Sequence, residues 1–240
     1  MSGTAQAGTV LTVAAAPGVT PRLLRLPAAV ETHSAYLADG GYALLDNVET
    51  LLAEVDRSGL LGRGGAAFPL GVKLRTVRAA HLRGHETVVV ANGEEGEPAS
   101  VKDRWLLRHR PHLVLDGVRL AARLVGAQRA YVYVSDRAAA LAVDHALDEV
   151  GFDTLGGLDI SIVTVDPGSA STTTAIAAGV AASPARSART RYSTVSVMGT
   201  TVVELPATIS TFSWLSPRCS ASAASGSSAV PFWIGCVAPA

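Results

Sequence analysis

Between Ala43 and Val165 the apolar residues repeat with two periods that alternate along the chain. Leu44, Leu45, Val48, Leu51, Leu52 and Val55 fall at spacings of three and four, which predicts a helix from Ala43 to Asp56 that Ser58-Gly59 closes. A second helix is predicted over about Leu70 to Leu82, with Val72, Val77 and Ala80 on one side. Thr87-Val88-Val89-Val90-Ala91 is a short β-branched run bounded by Gly84 and Asn92-Gly93, the signature of a buried strand. Helical patterns over Ser100–His109 and His112–Val125 are separated by Pro111, and Ala130-Tyr131-Val132-Tyr133-Val134 reads as another strand. Asp136 is placed to cap a helix to Val150 carrying Leu141, Val143, Leu147 and Val150, and Ile160 to Val165 alternates as a third strand.

Strands separated by helices favour a parallel sheet, because each return to the same end of the sheet needs a covering crossover. The expected class is α/β: an open, mostly parallel sheet with flanking helices, followed by a poorly structured tail. The organisation reads as an N-terminal lead over 1–40, mobile over its first twenty residues, an α/β domain over 41–168, and a tail over 169–240.

Composition changes the picture at Gly168. Residues 169–240 hold 14 Ser and 9 Thr but one acid, Glu204, whereas 1–168 hold six Ser and 19 acids together with every His and Lys. Formal charge is −3 before the break and +3 after it, and zero overall, so no global field selects nucleic acid or anionic lipid. No continuous apolar run approaches the ~18 residues that a spanning helix needs, and the expected location is cytoplasmic. Cys219 and Cys236 are seventeen apart, which argues against a disulfide scaffold or a cysteine-clustered metal site.

Two loops carry candidate chemistry. Between the first two helices, Gly59 to Gly65 contains four glycines, which let backbone approach a ligand, and the helix that follows Pro69 opens with free N–H donors. Arg63 and Lys73 could supply cations for a phosphate there, although a glycine cluster before a helix is ordinarily only a turn and neither common nucleotide motif is satisfied. The second loop, Asn92-Gly93-Glu94-Glu95-Gly96-Glu97-Pro98, follows the first strand, where open α/β sheets bind ligands. Three carboxylates so close must face water, cations or hydroxyls, since burying each unpaired is costly. One reading is a solvated acidic turn; the other is a set of acceptors for sugar or ribityl hydroxyls and a carboxamide. None of the six histidines is given a role, and His81, His85, His109, His112 and His145 read as ordinary surface or boundary groups; Tyr131 and Tyr133 read as strand residues, and Lys102, Asp103 and Arg104 as the brace of the next helix, with Arg104 also able to reach an anionic ligand.

Gly62-Arg63-Gly64-Gly65-Ala66-Ala67-Phe68-Pro69-Leu70-Gly71-Val72-Lys73, then Val90 to Pro98, then Lys102-Asp103-Arg104, resembles the flavin-binding half of the 51-kilodalton subunit of NADH:quinone oxidoreductase (complex I) and related flavin subunits of bidirectional hydrogenases and formate dehydrogenases. The likeness runs from about Leu44 to Val165. It implies that the backbone of Gly62, Arg63, Gly64 and Gly65 wraps FMN and that Lys73 lies near its phosphate. It further implies that Asn92, Glu94 and Glu95 line FMN, with Glu94 where the family has aspartate, that Glu97 meets NADH, and that Phe68 stacks on the adenine. The reading of Phe68 as a core aromatic stays open beside it. The implied reaction is hydride transfer from NADH to FMN, with electrons passing to an iron–sulfur acceptor and other subunits of a dehydrogenase as partners.

Past Gly168 the family's Gly-Glu-Glu segment, its ubiquitin-like domain and the cysteine ligands of its [4Fe–4S] cluster are absent in the expected order. Asn47-Val48-Glu49-Thr50 matches a family element but precedes the glycine loop, which marks it as a chance match. The break therefore suggests a truncated family member with a frameshifted or otherwise aberrant carboxyl end. The expected function is an NADH-oxidising flavoprotein domain impaired by that change; the alternative is a non-catalytic nucleotide-binding or partner-docking remnant.

Overall fold

A computed structural model describes residues 17–18, 23, 30–61, 68–93 and 101–164, together with the backbone of 192–194 and 234–237. Helix α1 spans His33–Ala38 and α2 spans Val48–Ser58. α2 begins five residues later than the apolar repeat predicts, because the Asn47 side chain accepts the Thr50 N–H at 2.9 Å and starts the helix there. The string Asn47–Thr50 is thus a helix cap. Gly59, at a φ of 63°, closes α2 in the left-handed conformation that glycine adopts without strain.

α3 covers Leu70–Leu82 as predicted, and strand β1 follows at Val88–Asn92. α4 spans Lys102–His109 and α5 spans Pro111–Val125, with Pro111 in the first turn, where its missing N–H costs nothing. Strand β2, Arg129–Val134, leads to α6, Arg137–Val150, and the Asp136 carboxylate caps α6 by accepting the Ala139 N–H at 2.7 Å. Strand β3 is Asp159–Thr164.

β1, β2 and β3 pair in parallel, in register Val89 with Ala130 and Ala130 with Ile160. Two short segments of the tail complete a five-stranded sheet of order β4-β3-β2-β1-β5: β4, Tyr192–Thr194, runs parallel to β3, and β5, Ile234–Val237, runs antiparallel to β1. The sheet is therefore mostly parallel, as expected. The remainder of the expected tail, and residues 1–16, 19–22 and 24–29 of the expected lead, lie outside the described residues.

Every residue of β1 is buried, as a strand with both faces covered requires. Val89, Ala91, Ala130, Val132, Val134 and Ile162 share one core with Leu115, Val118, Ala121, Ala122 and Val125 of α5 and Ala139, Val143 and Ala146 of α6. Small residues on the two helices let them lie close to the sheet. Among the described residues no helix is long and apolar enough to cross a membrane.

The end of the lead is tied down by polar contacts. Asp116 of α5 accepts the Tyr36 hydroxyl at 2.8 Å, the Tyr42 N–H at 2.9 Å and Arg119 Nε at 2.9 Å, and Arg119 also donates to the Ala43 carbonyl. These bonds hold Tyr42 at a φ of 52°, the one non-glycine residue with positive φ among the described residues. Beside them Arg110, 5% exposed, pairs with Glu31 at 2.6 Å and donates to the Leu23 carbonyl. Breaking such a buried pair costs about 3–5 kcal/mol, because it strands the other charge.

His112 departs from the surface reading of the sequence. It is 1% exposed, its Nε2 lies 2.9 Å from Glu149 and its Nδ1 lies 3.2 Å from the Tyr42 hydroxyl. An ionised Glu149 only accepts, so the neutral ring carries its proton on Nε2 and receives the Tyr42 hydroxyl at Nδ1. His33 stacks against it with ring centroids 5.2 Å apart. The apolar repeat of α5 could not reveal this site, because α1 and the Tyr42 turn arrive from elsewhere in the chain.

Burial holds the His112 imidazole below its ordinary pKa, with the Glu149 hydrogen bond pulling partly the other way, and burial followed by the Arg108 charge lowers His109 too. Both groups bind protons more readily in the unfolded chain. Their contribution to stability is complete above the unfolded histidine value of about 6.5 and is lost as pH falls from there through the folded values. Urea denaturation between pH 5 and pH 8 is expected to give a midpoint that falls on the acid side, and His112→Gln should flatten that slope while lowering the midpoint at pH 8. An unaltered slope in the variant would remove His112 from the cause. Separately, Leu115→Ala, at a fully buried α5 position, should cost about 2–5 kcal/mol by the same denaturation.

Candidate functional site

The glycine loop springs from two stems that are joined to each other. The Leu70 N–H donates to the Leu60 carbonyl at 2.8 Å, and Leu61 and Pro69 form an antiparallel bridge. The loop therefore leaves and returns at one point, between the end of α2 and the start of α3. Gly62, Arg63, Gly64 and Gly65 lie outside the described residues, as do Glu94, Glu95 and Glu97.

Phe68 and Lys73 are described, and they meet. Phe68 is 43% exposed, which sets aside its reading as a core aromatic, and Lys73 Nζ stands 5.8 Å from the centre of its ring. A cation over an aromatic face is held by the ring quadrupole, so the pair presents a flat apolar surface with a positive charge beside it. Local sequence explains the placement. Pro69 ends the extended stem and caps no N–H with a side chain, so α3 begins at Leu70, and Lys73 follows one turn in. Leu74 and Val77 turn into the core, which leaves Val72 and Phe68 outside.

Asn92 is the last residue of β1 and is 6% exposed, opposite Tyr133 in the register. The next residue shows why the chain needs glycine there. Gly93 donates to the Tyr133 carbonyl at 2.7 Å, and a Cβ at that position would run into the Leu107 side chain and approach the Tyr133 carbonyl and Val134 at 3.2 Å each. Backbone passes so close to α4 and β2 here that a side chain would have to displace the tip of Leu107 and press on β2.

At the start of α4, Lys102 and Asp103 form an ion pair, in keeping with the bracing role expected of them. Further along, Arg108 holds Asp136 through Nε at 2.8 Å and through a second, shorter contact from Nη2. This pair, first of all, keeps the Asp136 carboxyl below its usual range, with help from the Ala139 N–H and the Arg104 charge. The cap at Asp136 is legible in the sequence; its partner Arg108, twenty-eight residues away, is not. Among the described residues no group of three or more His, Cys, Asp or Glu is placed to hold a metal ion.

The two described parts of the site thus offer a ring with an adjacent cation at the amino end of α3, and a buried amide at the carboxyl end of β1. Lys73 suits a phosphate, the Asn92 amide can both donate and accept, and exposed Phe68 suits a planar ring.

Comparison with known proteins gives the same family as the motifs. The sequence model of the Nuo51 FMN-binding domain matches residues 55–171. The subunit designated F in the NADH-quinone oxidoreductase of Rhodobacter capsulatus is 39% identical over 97 residues, 40% of this chain and 22% of that protein. Its counterpart of the same designation in Aquifex aeolicus (strain VF5) is 36% identical over 110 residues, 44% of this chain and 25% of that protein. Among solved structures, the NAD+-reducing [NiFe]-hydrogenase in the H2-reduced state aligns at 29% identity and a TM-score of 0.45, covering 50% of this chain and 21% of that one. The chain spans about a quarter or less of the length of these relatives. Residues 55–171, just under half of the chain, carry the glycine-loop stems, Phe68, Lys73, Asn92 and Gly93, and are the part that resembles the Nuo51 FMN-binding domain family.

Proposed function

We propose that the chain is an NADH-oxidising flavoprotein domain that holds FMN between the two loops and receives NADH over Phe68. The observation that carries this reading is the exposed Phe68 ring with Lys73 beside it, at the stem of a glycine loop within the matched family segment. Gly62, Arg63, Gly64 and Gly65 supply backbone N–H groups around the flavin, and Lys73 neutralises its phosphate. The Asn92 amide both donates to and accepts from the flavin side chain and ring edge, and the Glu94 and Glu95 carboxylates accept from its hydroxyl and N–H groups. Glu97 accepts from the hydroxyls of NADH, and Phe68 stacks on its adenine.

FMN, when bound, supplies the hydride acceptance and the stepwise release of electrons that no side chain here provides. The chain's own residues supply position. Near-contact placement of the nicotinamide against the flavin requires both nucleotides to be held at their distal ends, and Lys73 and Phe68 act there. No general base is needed, so the buried His112 takes no part in the chemistry.

The relatives are named as subunits of NADH-quinone oxidoreductase. By that company the reading includes other dehydrogenase subunits as partners, an iron–sulfur centre on one of them as acceptor, and a cytoplasmic location.

FMN titration of the purified chain, followed by quenching of flavin fluorescence, tests the site. Saturable quenching is expected, and Lys73→Ala should raise the Kd about tenfold or more, the equivalent of one charge-assisted phosphate contact; Glu94→Ala should also weaken binding. With FMN bound, NADH oxidation by an artificial acceptor is expected, and Phe68→Ala should raise the NADH KM about fivefold with kcat retained. Absence of saturable quenching would reject the reading, whereas binding without NADH oxidation would favour a non-catalytic nucleotide-binding domain.

A further inference from the structure

Gly71 is buried in the first turn of α3, and a methyl group built on it would coincide with Oδ1 of Asp56, with Asp56 Cγ 3.1 Å away. The nearest backbone atom, the Cα of Asp56, is 3.8 Å off, so the carboxylate alone claims the space. Asp56 lies in the last turns of α2. Its other oxygen, Oδ2, accepts from Arg75 Nη2 at 2.6 Å and from Nε at 3.2 Å. One carboxylate is thereby wedged between two successive turns of α3, resting on Gly71 and clamped by Arg75.

The location gives this wedge a purpose. α3 has no side-chain cap of its own, and an anion against its first turn is favoured by the positive end of the helix dipole. Asp56 thus does from a neighbouring helix part of what a cap residue does from within. The same turn carries the Lys73 N–H bonded to Pro69, and it begins two residues after Phe68. Both side chains of the Asp56–Arg75 pair are 45% exposed, and ion pairs so wetted stabilise a fold little. A contact that adds little stability yet seats the turn that bears Lys73 and follows Phe68 acts chiefly on geometry.

We infer that Asp56, seated over Gly71 and held by Arg75, is a positioning residue for the Phe68–Lys73 pair. This rests on the flavin reading for its functional consequence, and on the described contacts alone for the positioning.

Gly71→Ala and Asp56→Ala inflict the same lesion, since the new methyl group can fit only by evicting the carboxylate. Hydrogen exchange in the full chain without ligand is expected to speed up at the amides of Leu70 and Lys73 by about fivefold in either variant, with β1 and β2 unchanged. The double variant should be no worse than Asp56→Ala alone. Asp56→Asn, which keeps the shape and can still accept from Arg75, should restore most of the protection. In FMN titrations the two single variants should raise the Kd about fivefold while the thermal midpoint moves by no more than about 4 °C.

Unchanged exchange at Leu70 and Lys73, or additive effects in the double variant, would overturn the positioning. Altered exchange with an unaltered Kd would overturn its link to the ligand. If the unmodified chain binds no FMN while exchange responds as expected, the flavin reading fails and the positioning stands.

Discussion

The face of the sheet that α5 covers has to bury Val89 and Ala91 of β1 and Ala130, Val132 and Val134 of β2 together, because these side chains alternate with others that point away. A shift of one residue in the pairing would turn the whole set to the opposite face and away from its α5 partners, so the packing of this face fixes the register as well as the layer. With the register set, the last residue of β1 is Asn92, and Gly93 comes to lie against Leu107 and the Tyr133 carbonyl. The end of the strand, and with it one half of the site, is a consequence of core packing.

Polar contacts add to the core where the segment before α2 meets the helices. Asp116 gathers Tyr36, the Tyr42 backbone and Arg119, while His112 joins Tyr42 to Glu149 at the other end of the domain's sequence. Burial first, and the Asp116 charge next, push both tyrosine hydroxyls well above their ordinary range, so they remain protonated donors. Such a network is costly if half made and rigid when complete. Its effect is to clasp residues 31–43 onto α5 and α6.

The site is built in contrasting fashion. Phe68 and Lys73 stand on a turn held by half-exposed charges, whereas Asn92 is enclosed by the sheet. An exposed ring can receive a ligand without first breaking its own packing, and a buried amide can recognise one without having to be ordered. The two halves of the proposed site therefore differ, the first accessible and the second fixed in direction.

Most element boundaries are legible locally. α3, the Asp136 cap of α6, the Gly59 stop of α2 and the three parallel strands follow from apolar period, cap residues and β-branched runs, all of which act within a few residues. The ordered motifs around Phe68, Lys73 and Asn92 are likewise visible, since the residue types that bind nucleotides stand in sequence order. The late start of α2 escapes the apolar repeat because Leu44 continues that repeat although it is fully exposed, and the Asn47 cap outweighs it. What the linear order does not contain are contacts between distant segments: the enclosure of His112 by Tyr42 and Glu149, the Arg108–Asp136 pair, and the Asp56 carboxylate over Gly71. Period and capping are properties of neighbours along the chain, whereas each of these depends on which surfaces meet after the helices have packed on the sheet.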